Sequence, residues 1–270
     1  MVRYSLLLCM MLLTSNSLCA ETLVYDMLRH VYEAEEDARL RGRRELLHRI
    51  LVERTGVSLT SAGCEMISAD RLDDLFMSTA YVNAVTPHRS LLNSMRCMHA
   101  RLLTINQAAQ KHDYRLHRAL VAAMEFKDAN KLKSERMLDV AVLPDIVGRH
   151  EEGSDILVLS GVEKMRWASL NTDKEWWVLA VVSPYCGYSR KAVEAIASDV
   201  DFAWLASQLS LITPVGDRFS HAALHEWSLL FPENVSIVAA PGSDWHGIHL
   251  EEWPVFHLMR RDVRIDTIYG

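Results

Sequence analysis

The sequence predicts an α/β domain, with a mixed central sheet and flanking helices, preceded by a mostly α-helical domain. Two observations predict this fold class. From Glu21 to about Val147, apolar positions recur at helical spacing, with charges of both signs between them. After Gly148, strand-like segments alternate with helix-like ones, and their order contains the run β-α-β-α-β-β, which implies a mixed sheet with helices packed on it. We therefore assign residues 21–147 to the helical domain and residues 148–270 to the α/β domain.

The first 20 residues are predicted to be a secretory signal peptide. Arg3 supplies a short positive region, and residues 4–13 form an apolar stretch that is too short to span a bilayer. Residues 18–20 offer a cleavage site. No later apolar stretch reaches membrane-spanning length, so we expect an exported, periplasmic protein with no transmembrane span after signal removal.

Several amphipathic helices are predicted in the helical domain, because apolar residues recur there three and four positions apart. The apolar faces are Leu23, Met27, Leu28 and Val31; Leu46, Leu47, Ile50 and Leu51; Leu72, Leu75 and Phe76; Leu91, Met95, Met98 and Leu102; and Leu116, Leu120, Ala123 and Met124. This spacing favours helices that pack on a common core.

The α/β domain contains one strand that is expected to be buried on both faces. Residues 176–182 are seven consecutive apolar residues, and Ser183-Pro184 ends the run. A helix follows, because Val193, Ile196, Ala197 and Val200 lie at i, i+3, i+4 and i+7. Further strands are predicted at 156–159, 165–170, 209–215, 235–240, 255–259 and 263–268, with a helix at 219–231.

Cys186 lies at the junction between the buried strand and the helix that follows it. The positive end of a helix favours a thiolate over a thiol, and Arg190 and Lys191 add cationic charge nearby. The sequence therefore predicts a reactive cysteine at this position. A buried and inert thiol is the alternative.

The segment Tyr185-Cys186-Gly187-Tyr188-Ser189 between a strand and a helix resembles the active-site turn of the thioredoxin superfamily. Trp253-Pro254, followed by a strand and its hairpin partner, is similar to the family's cis-proline loop. The spacing from Cys186 to Pro254 is similar to that of periplasmic thioredoxins of the TlpA type.

The resemblance implies a role for each residue of these two segments. It implies that the Trp253–Pro254 peptide is cis and lies beside the cysteine. The implied catalytic residues are Cys186, Ser189 and Pro254, and the implied substrate groove is formed by Tyr185, Gly187, Tyr188 and Trp253.

The sequence departs from the family pattern in three places. Ser189 stands where a second cysteine is usual, so the motif cannot close its own disulfide. Trp253 stands where a small or β-branched residue is usual, and an indole there would fill the groove. The sequence ends at Gly270, so we expect the family's final helix to be absent or shortened.

The same four residues, Cys-Gly-Tyr-Ser, are also similar to the Cys-Gly-Phe-Ser of monothiol glutaredoxins, which hold an iron–sulfur cluster with glutathione. The predicted signal peptide, the lack of a lysine in the apolar strand before Cys186 and the lack of a glycine pair after the proline strand argue against this likeness. We therefore expect no cofactor.

Export would place the cysteines in an oxidising compartment. Cys64, Cys97 and Cys186 would remain after signal removal. The simplest pairing is a disulfide between Cys64 and Cys97, which leaves Cys186 free; three reduced, buried thiols are the open alternative.

The net charge of −6 argues against nucleic-acid binding. The histidines His221, His225, His246 and His249 have spacings that can suit a metal, but no cysteine or metalloprotease pattern accompanies them. We interpret them as surface residues and expect no metal.

Two functions fit these observations. The first is thiol–disulfide exchange or disulfide isomerisation with periplasmic protein clients through Cys186 alone. The second is a non-catalytic scaffold, because an exported helical domain before a thioredoxin-like domain is similar in plan to TraF-type assembly proteins of conjugative and type IV secretion systems. Its partners would be subunits of the secretion apparatus.

Overall fold

The structure, a computed structural model, describes residues 61–85, 87–148, 156–161, 163–169, 174–215, 219–230, 237–239, 248 and 253–270. The predicted signal peptide and the apolar faces between Leu23 and Leu51 lie outside these residues. Contacts divide the chain into two compact units that meet between Leu120 and Val121. The domain boundary predicted from the sequence falls later, within the second unit.

The first unit is helical in its described part. Two short 3-10 helices, Ser61–Met66 and Ala69–Arg71, precede helices α1 (Leu72–Val85), α2 (Arg89–Thr104) and α3 (Gln110–Ala122), the last of which crosses into the second unit. The side chains that the sequence assigned to the faces of α1 and α2 are fully or almost fully buried: Leu72, Leu75, Phe76, Leu91, Met95, Met98 and Leu102. The predicted apolar faces of these two helices are therefore confirmed.

A disulfide and an arginine join the first 3-10 helix to α2. Cys64 and Cys97 form the disulfide, with their α-carbons 6.0 Å apart, which confirms the predicted pair. One turn further along α2, the Arg101 guanidinium donates hydrogen bonds to the carbonyl oxygens of Cys64, at 2.5 Å, and Ile67, at 2.6 Å. The Cys64 carbonyl also accepts from the Ile67 N–H at 3.2 Å, so Arg101 ties the end of this helical turn to α2.

The second unit contains a mixed sheet of eight strands with helices beside it. Its elements are α4 (Phe126–Arg136), β1 (Asp145–Val147), β2 (Ile156–Gly161), β3 (Lys164–Ala168), β4 (Trp176–Val181), α5 (Gly187–Ser198), a 3-10 helix (Val200–Phe202), α6 (Ala203–Ala206), β5 (Leu209–Pro214), α7 (His221–Leu230), β6 (Ile237–Ala239), β7 (Val255–Arg260) and β8 (Val263–Tyr269). The described strands follow the order β1-β3-β2-β6-β5-β4-β7-β8.

Strand β1 corrects the sequence analysis, which placed residues 145–147 at the end of the helical domain. Helix α4 ends at Arg136, where Met137 takes left-handed backbone, so residues 145–147 lie outside helical structure. The Asp145 N–H then donates to the Glu163 carbonyl at 2.9 Å, and β1 pairs in parallel with β3.

Strand β4 lies between the two core clusters of the sheet, which explains why both of its faces are apolar. Its first face contributes Trp177, Leu179 and Val181 to a cluster with Ile156, Val158, Ile212, Ile248, Val255 and Met259. Its second face contributes Ala180, which packs with Val182, Val193, Ile196, Leu209, Leu211 and Trp227. The prediction of a strand covered on both sides is therefore confirmed.

Within the described part of the chain, none of the helices has both the length and the apolar character needed to cross a bilayer.

Candidate functional site

Cys186 lies where the end of β4 turns into α5. Strand β4 is held in register by β5, which is parallel to it, and by β7, which is antiparallel. After β4, the Cys186 N–H donates to the Ser183 carbonyl at 3.0 Å and closes a tight turn. Cys186 is the N-cap residue of α5, with extended backbone at φ −87° and ψ 117°. The side chain therefore lies at the positive end of the helix, as predicted.

The proline loop lies against the cysteine. The Trp253–Pro254 peptide bond is cis, and the Cys186 Sγ lies 3.8 Å from the Trp253 carbonyl oxygen, toward which the thiol donates. Behind the loop, the Gly270 N–H donates to the Pro254 carbonyl at 3.0 Å, and a Cβ at Gly270 would lie 2.8 Å from the proline ring. The geometry implied by the family resemblance is therefore present around Cys186.

Ser189 is the buried member of this site. It lies in the first turn of α5 and has no exposed surface, although its neighbours Tyr188 and Arg190 are exposed. Its Oγ accepts a hydrogen bond from the Ser183 N–H at 3.2 Å. The serine therefore links the turn after β4 to the start of α5.

The pKa of the Cys186 thiol lies below its ordinary value. Burial raises this pKa, but hydrogen bonds from the Ser189 backbone, the Ser189 side chain and the Tyr188 backbone together lower it by more. The side chains of Arg190 and Lys191 are exposed and are not among these causes. The lower pKa comes from hydrogen bonds, and a contribution from the two cations stays a prediction.

Three of the four predicted groove residues, Tyr185, Gly187 and Tyr188, are neighbours of Cys186 in the sequence. The fourth, Trp253, belongs to the proline loop that lies against the cysteine. Gly187 is exposed, and the aromatic side chains of Tyr185, Tyr188 and Trp253 are 56%, 75% and 44% exposed. Their exposure leaves apolar surface next to the thiol, whose own burial is intermediate. Their role in binding a substrate stays a prediction.

The far end of α5 differs from the predicted apolar face. Val193 and Ile196 are buried in the sheet core, as expected, but Ala197 is exposed and Val200 is 84% exposed. The helix ends at Ser198, and Asp199 takes extended backbone. The i+7 position therefore falls outside the helix and loses its place on the buried face.

The connectivity around the cysteine decides the fold. Within the order β5-β4-β7-β8, β4 is parallel to β5 and antiparallel to β7, the cysteine opens the helix after β4, and the cis-proline directly precedes β7. The fold is thioredoxin-like. Strands β1, β2, β3 and β6 extend the sheet beyond β5.

No protein-family model matches the chain, and no curated protein matches it. Among solved structures, the chain is similar to a thioredoxin-like protein from Bacteroides caccae, with 12% sequence identity and a TM-score of 0.29. The alignment covers 90% of this chain and 86% of that one.

The histidines that we interpreted as surface residues are half-buried where the structure describes them. His221 and His225 lie one turn apart on α7, where burial and the neighbouring His225 lower the pKa of His221, against a smaller opposing effect of Glu163. His246 and His249 lie outside the described residues. Within the described residues there is no group of three or more histidine, cysteine, aspartate or glutamate side chains placed to hold a metal ion.

The sequence analysis missed a cluster of His–Asp pairs in the first unit. His99 Nε2 lies 2.7 Å from Asp113 Oδ1, and both side chains are almost fully buried. His112 accepts the Ala109 N–H at Nδ1, so its Nε2 donates to Asp73. The adjacent residues His112 and Asp113 are the sign of this cluster that the sequence offers. Their partners, Asp73 and His99, lie on other helices and far away in the sequence.

Proposed function

We propose that this protein carries out thiol–disulfide exchange through Cys186 alone, in an exported compartment. The observation that carries the proposal is the position of the Cys186 sulfur, at the N-terminus of α5 and 3.8 Å from the carbonyl oxygen of the residue before the cis-proline. A thiolate is the attacking species in such exchange, and the hydrogen bonds described above favour the thiolate.

The reaction proceeds in two balanced steps. The Cys186 thiolate attacks one sulfur of a client disulfide, a mixed disulfide forms, and the client's other sulfur leaves as a thiolate that takes a proton from water. A second thiolate then attacks the mixed disulfide and releases Cys186. When that second thiolate belongs to the client, disulfides are rearranged with no net oxidation or reduction.

The described residues of the protein contain no second free thiol that could attack the mixed disulfide. Cys186 is the free cysteine there, because Cys64 and Cys97 form a disulfide. The mixed disulfide therefore lasts until a client thiol or a small-molecule thiol attacks it. This favours isomerisation or disulfide capture over dithiol oxidation.

Turnover with a peptide substrate tests the proposal. The substrate is a short peptide whose cysteine carries a chromogenic aromatic thiol in mixed disulfide, with reduced glutathione as the second thiol. We expect the full chain to accelerate release of the aromatic thiolate, and Cys186→Ala to abolish the acceleration. Equal rates for the two proteins, both folded by circular dichroism, would reject the proposal.

An interaction role is the second candidate, and a specific surface favours it. Strand β8 lies at one edge of the sheet, and its apolar side chains Val263, Ile265, Ile268 and Tyr269 are all more than half exposed. Apolar edge strands are ready surfaces for pairing with another chain. In this proposal the partners are subunits of a secretion apparatus. Replacement of Cys186 by alanine would then leave the affinity for these subunits unchanged.

A further inference from the structure

Strand β7 lies inside the sheet, between β4 and β8, yet its side chain Leu258 is 37% exposed. An exposed apolar residue is common on an edge strand, but on an interior strand it shows that one face of the sheet is uncovered at that point. Residues directly opposite each other in a sheet share a face, and Leu258 lies opposite Val178 on β4 and Asp266 on β8. This register identifies the face that is uncovered.

Three rows of side chains lie on this face, because the register of β4, β7 and β8 sets them side by side. The rows are Trp176, Arg260 and Val263; Val178, Leu258 and Asp266; and Ala180, Phe256 and Ile268. Trp176 is nearly half exposed, and Val263 and Ile268 are more than half exposed. We call the exposed part of this surface the open face, and it consists of Trp176, Leu258, Arg260, Val263, Asp266 and Ile268.

Helices α5 and α7 cover the adjoining part of the same face. Val193 of α5 and Trp227 of α7 belong to the core cluster on this side of β4, and Val178 and Phe256 pack at its margin. Within the described residues, that cluster does not extend to the open face. A solvated sheet face usually carries polar side chains, whereas the open face is mostly apolar, so it suits a protein partner.

The open face carries one charge of each sign, Arg260 and Asp266. The Arg260 Cζ lies 5.4 Å from the centroid of the Trp176 ring, and its Nη2 lies 3.4 Å from Glu175 Oε1. Both side chains of this ion pair are more than half exposed, so the pair contributes little and leaves the guanidinium available. Asp266 is exposed, and its Oδ1 accepts the Thr267 N–H at 2.8 Å. Its carboxylate can therefore accept a further donor.

We propose that two copies of this chain associate through the open face, as a two-fold dimer in which Arg260 of each copy pairs with Asp266 of the other. A two-fold interface brings the same surface of both copies together, so a charged surface that pairs with itself needs both signs. An axis that passes between Arg260 and Asp266 forms both contacts at once. The apolar side chains of the two sheets then meet face to face.

The size of the open face predicts a weak dimer. Three strands and three rows of side chains span about 10 by 14 Å. This area is well below the roughly 800 Å² that each partner buries in a stable complex, so we expect a dissociation constant between about 10 µM and 1 mM.

Sedimentation equilibrium over that concentration range tests the dimer, with the protein without residues 1–20. Every protein in the test carries Cys186→Ala, so no intermolecular disulfide contributes and the result does not depend on the exchange function. We expect the apparent mass to rise with concentration from that of one chain toward that of two. The mass of one chain at every concentration would overturn the inference, while the proposed binding of other proteins would still stand.

Two neighbouring residues of β8 distinguish the open face from the edge of the sheet. Ile268→Glu places a charge on the open face and should raise the dissociation constant about tenfold or more. Tyr269→Glu is the matched control, because Tyr269 is also more than half exposed but lies opposite Val255, on the other face. Its dissociation constant should be unchanged, and equal weakening by both variants would overturn the inference. Val263→Glu replaces Ile268→Glu if that variant fails to fold by circular dichroism.

Charge reversal tests the two contacts between Arg260 and Asp266. Asp266→Arg and Arg260→Asp each bring like charges together at both contacts, so each variant alone should dimerise about tenfold more weakly. In an equimolar mixture, arginine again lies opposite aspartate at both contacts of the mixed dimer, and association should be recovered. A mixture that associates no better than its two components would overturn the inference.

Discussion

At the residue scale, the ionisation of Cys186 depends on hydrogen bonds with a few neighbouring groups. The Trp253 carbonyl accepts from the thiol, whereas Ser189 and Tyr188 donate to the thiolate. We expect exposed cations to contribute less, because water and salt screen them. Substitutions at Ser189 should therefore change thiol chemistry more than substitutions at Arg190.

Replacement of Ser189 by cysteine tests whether the site can support a complete redox pair. We expect Ser189→Cys to form a disulfide between Cys186 and the introduced cysteine and to gain activity in the reduction of insulin by dithiothreitol, while the wild type shows only slow mixed-disulfide chemistry. The reason is that the strand, the helix N-terminus and the cis-proline loop are already in place. Trp253→Thr should increase this activity if the indole restricts access.

The same assay distinguishes the two proposed functions. If Ser189→Cys and the Ser189→Cys/Trp253→Thr variant both fold but remain inert toward insulin and small disulfides, the interaction role is favoured. Cys186 would then be a remnant of a lost active site.

At the element scale, the described helices of the first unit are held by polar contacts between helices as well as by their apolar core. Phe76 on α1 lies between two histidines, with ring centroids 6.2 Å from His99 and 5.1 Å from His112. His99 on α2 bonds Asp113 on α3, and His112 on α3 bonds Asp73 on α1. These two pairs therefore connect three helices in a defined register.

Loss of the His99 side chain should weaken the first unit. We expect His99→Ala to lower the free energy of unfolding by about 2–3 kcal/mol, because it removes a charge-assisted hydrogen bond in a buried environment. Urea denaturation followed by circular dichroism measures the change. His99→Gln keeps a side-chain N–H and should lose less; an equal loss in both variants would mean that packing against Phe76 dominates.

The Cys64–Cys97 disulfide should stabilise the same unit. We expect the Cys64→Ala/Cys97→Ala variant to lower the free energy of unfolding by about 2–4 kcal/mol, since the bond constrains the unfolded chain. The Arg101 hydrogen bonds remain in that variant and keep the 3-10 helix near α2. Urea midpoints of the oxidised wild type, the reduced wild type and the variant provide the measurement. An unchanged midpoint in the variant would contradict the expectation.

At the scale of the whole molecule, local patterns predicted the elements and the turn at Cys186, but not the long-range polar contacts. The apolar run before Cys186 predicted a doubly covered strand because both core clusters require apolar side chains there. The contact between Gly270 and Pro254, the Arg101 hydrogen bonds and the His99–Asp113 pair join distant positions. Periodicity records only which face of an element is buried, so it carries no information about such partners.

Strand β1 was missed for a related reason. Residues 145–147 are too few to show an alternating pattern, so their pairing with β3 could not be predicted from the sequence. The edge strand β8 was easier to predict, because Val263 to Ile268 follow a clear turn at Arg261-Asp262.

The most direct test of the central claim is the intact mass of the native protein without residues 1–20, and so without Cys9 and Cys19, after incubation with oxidised glutathione under non-reducing conditions. If Cys186 is a working thiol, the wild type should gain one glutathionyl group that maps to Cys186 and is removed by reduced glutathione, while Cys186→Ala gains none. The account is contradicted if the native wild type gains no adduct but the urea-unfolded protein does. The Cys186 thiol would then be intact but inaccessible to glutathione in the folded protein.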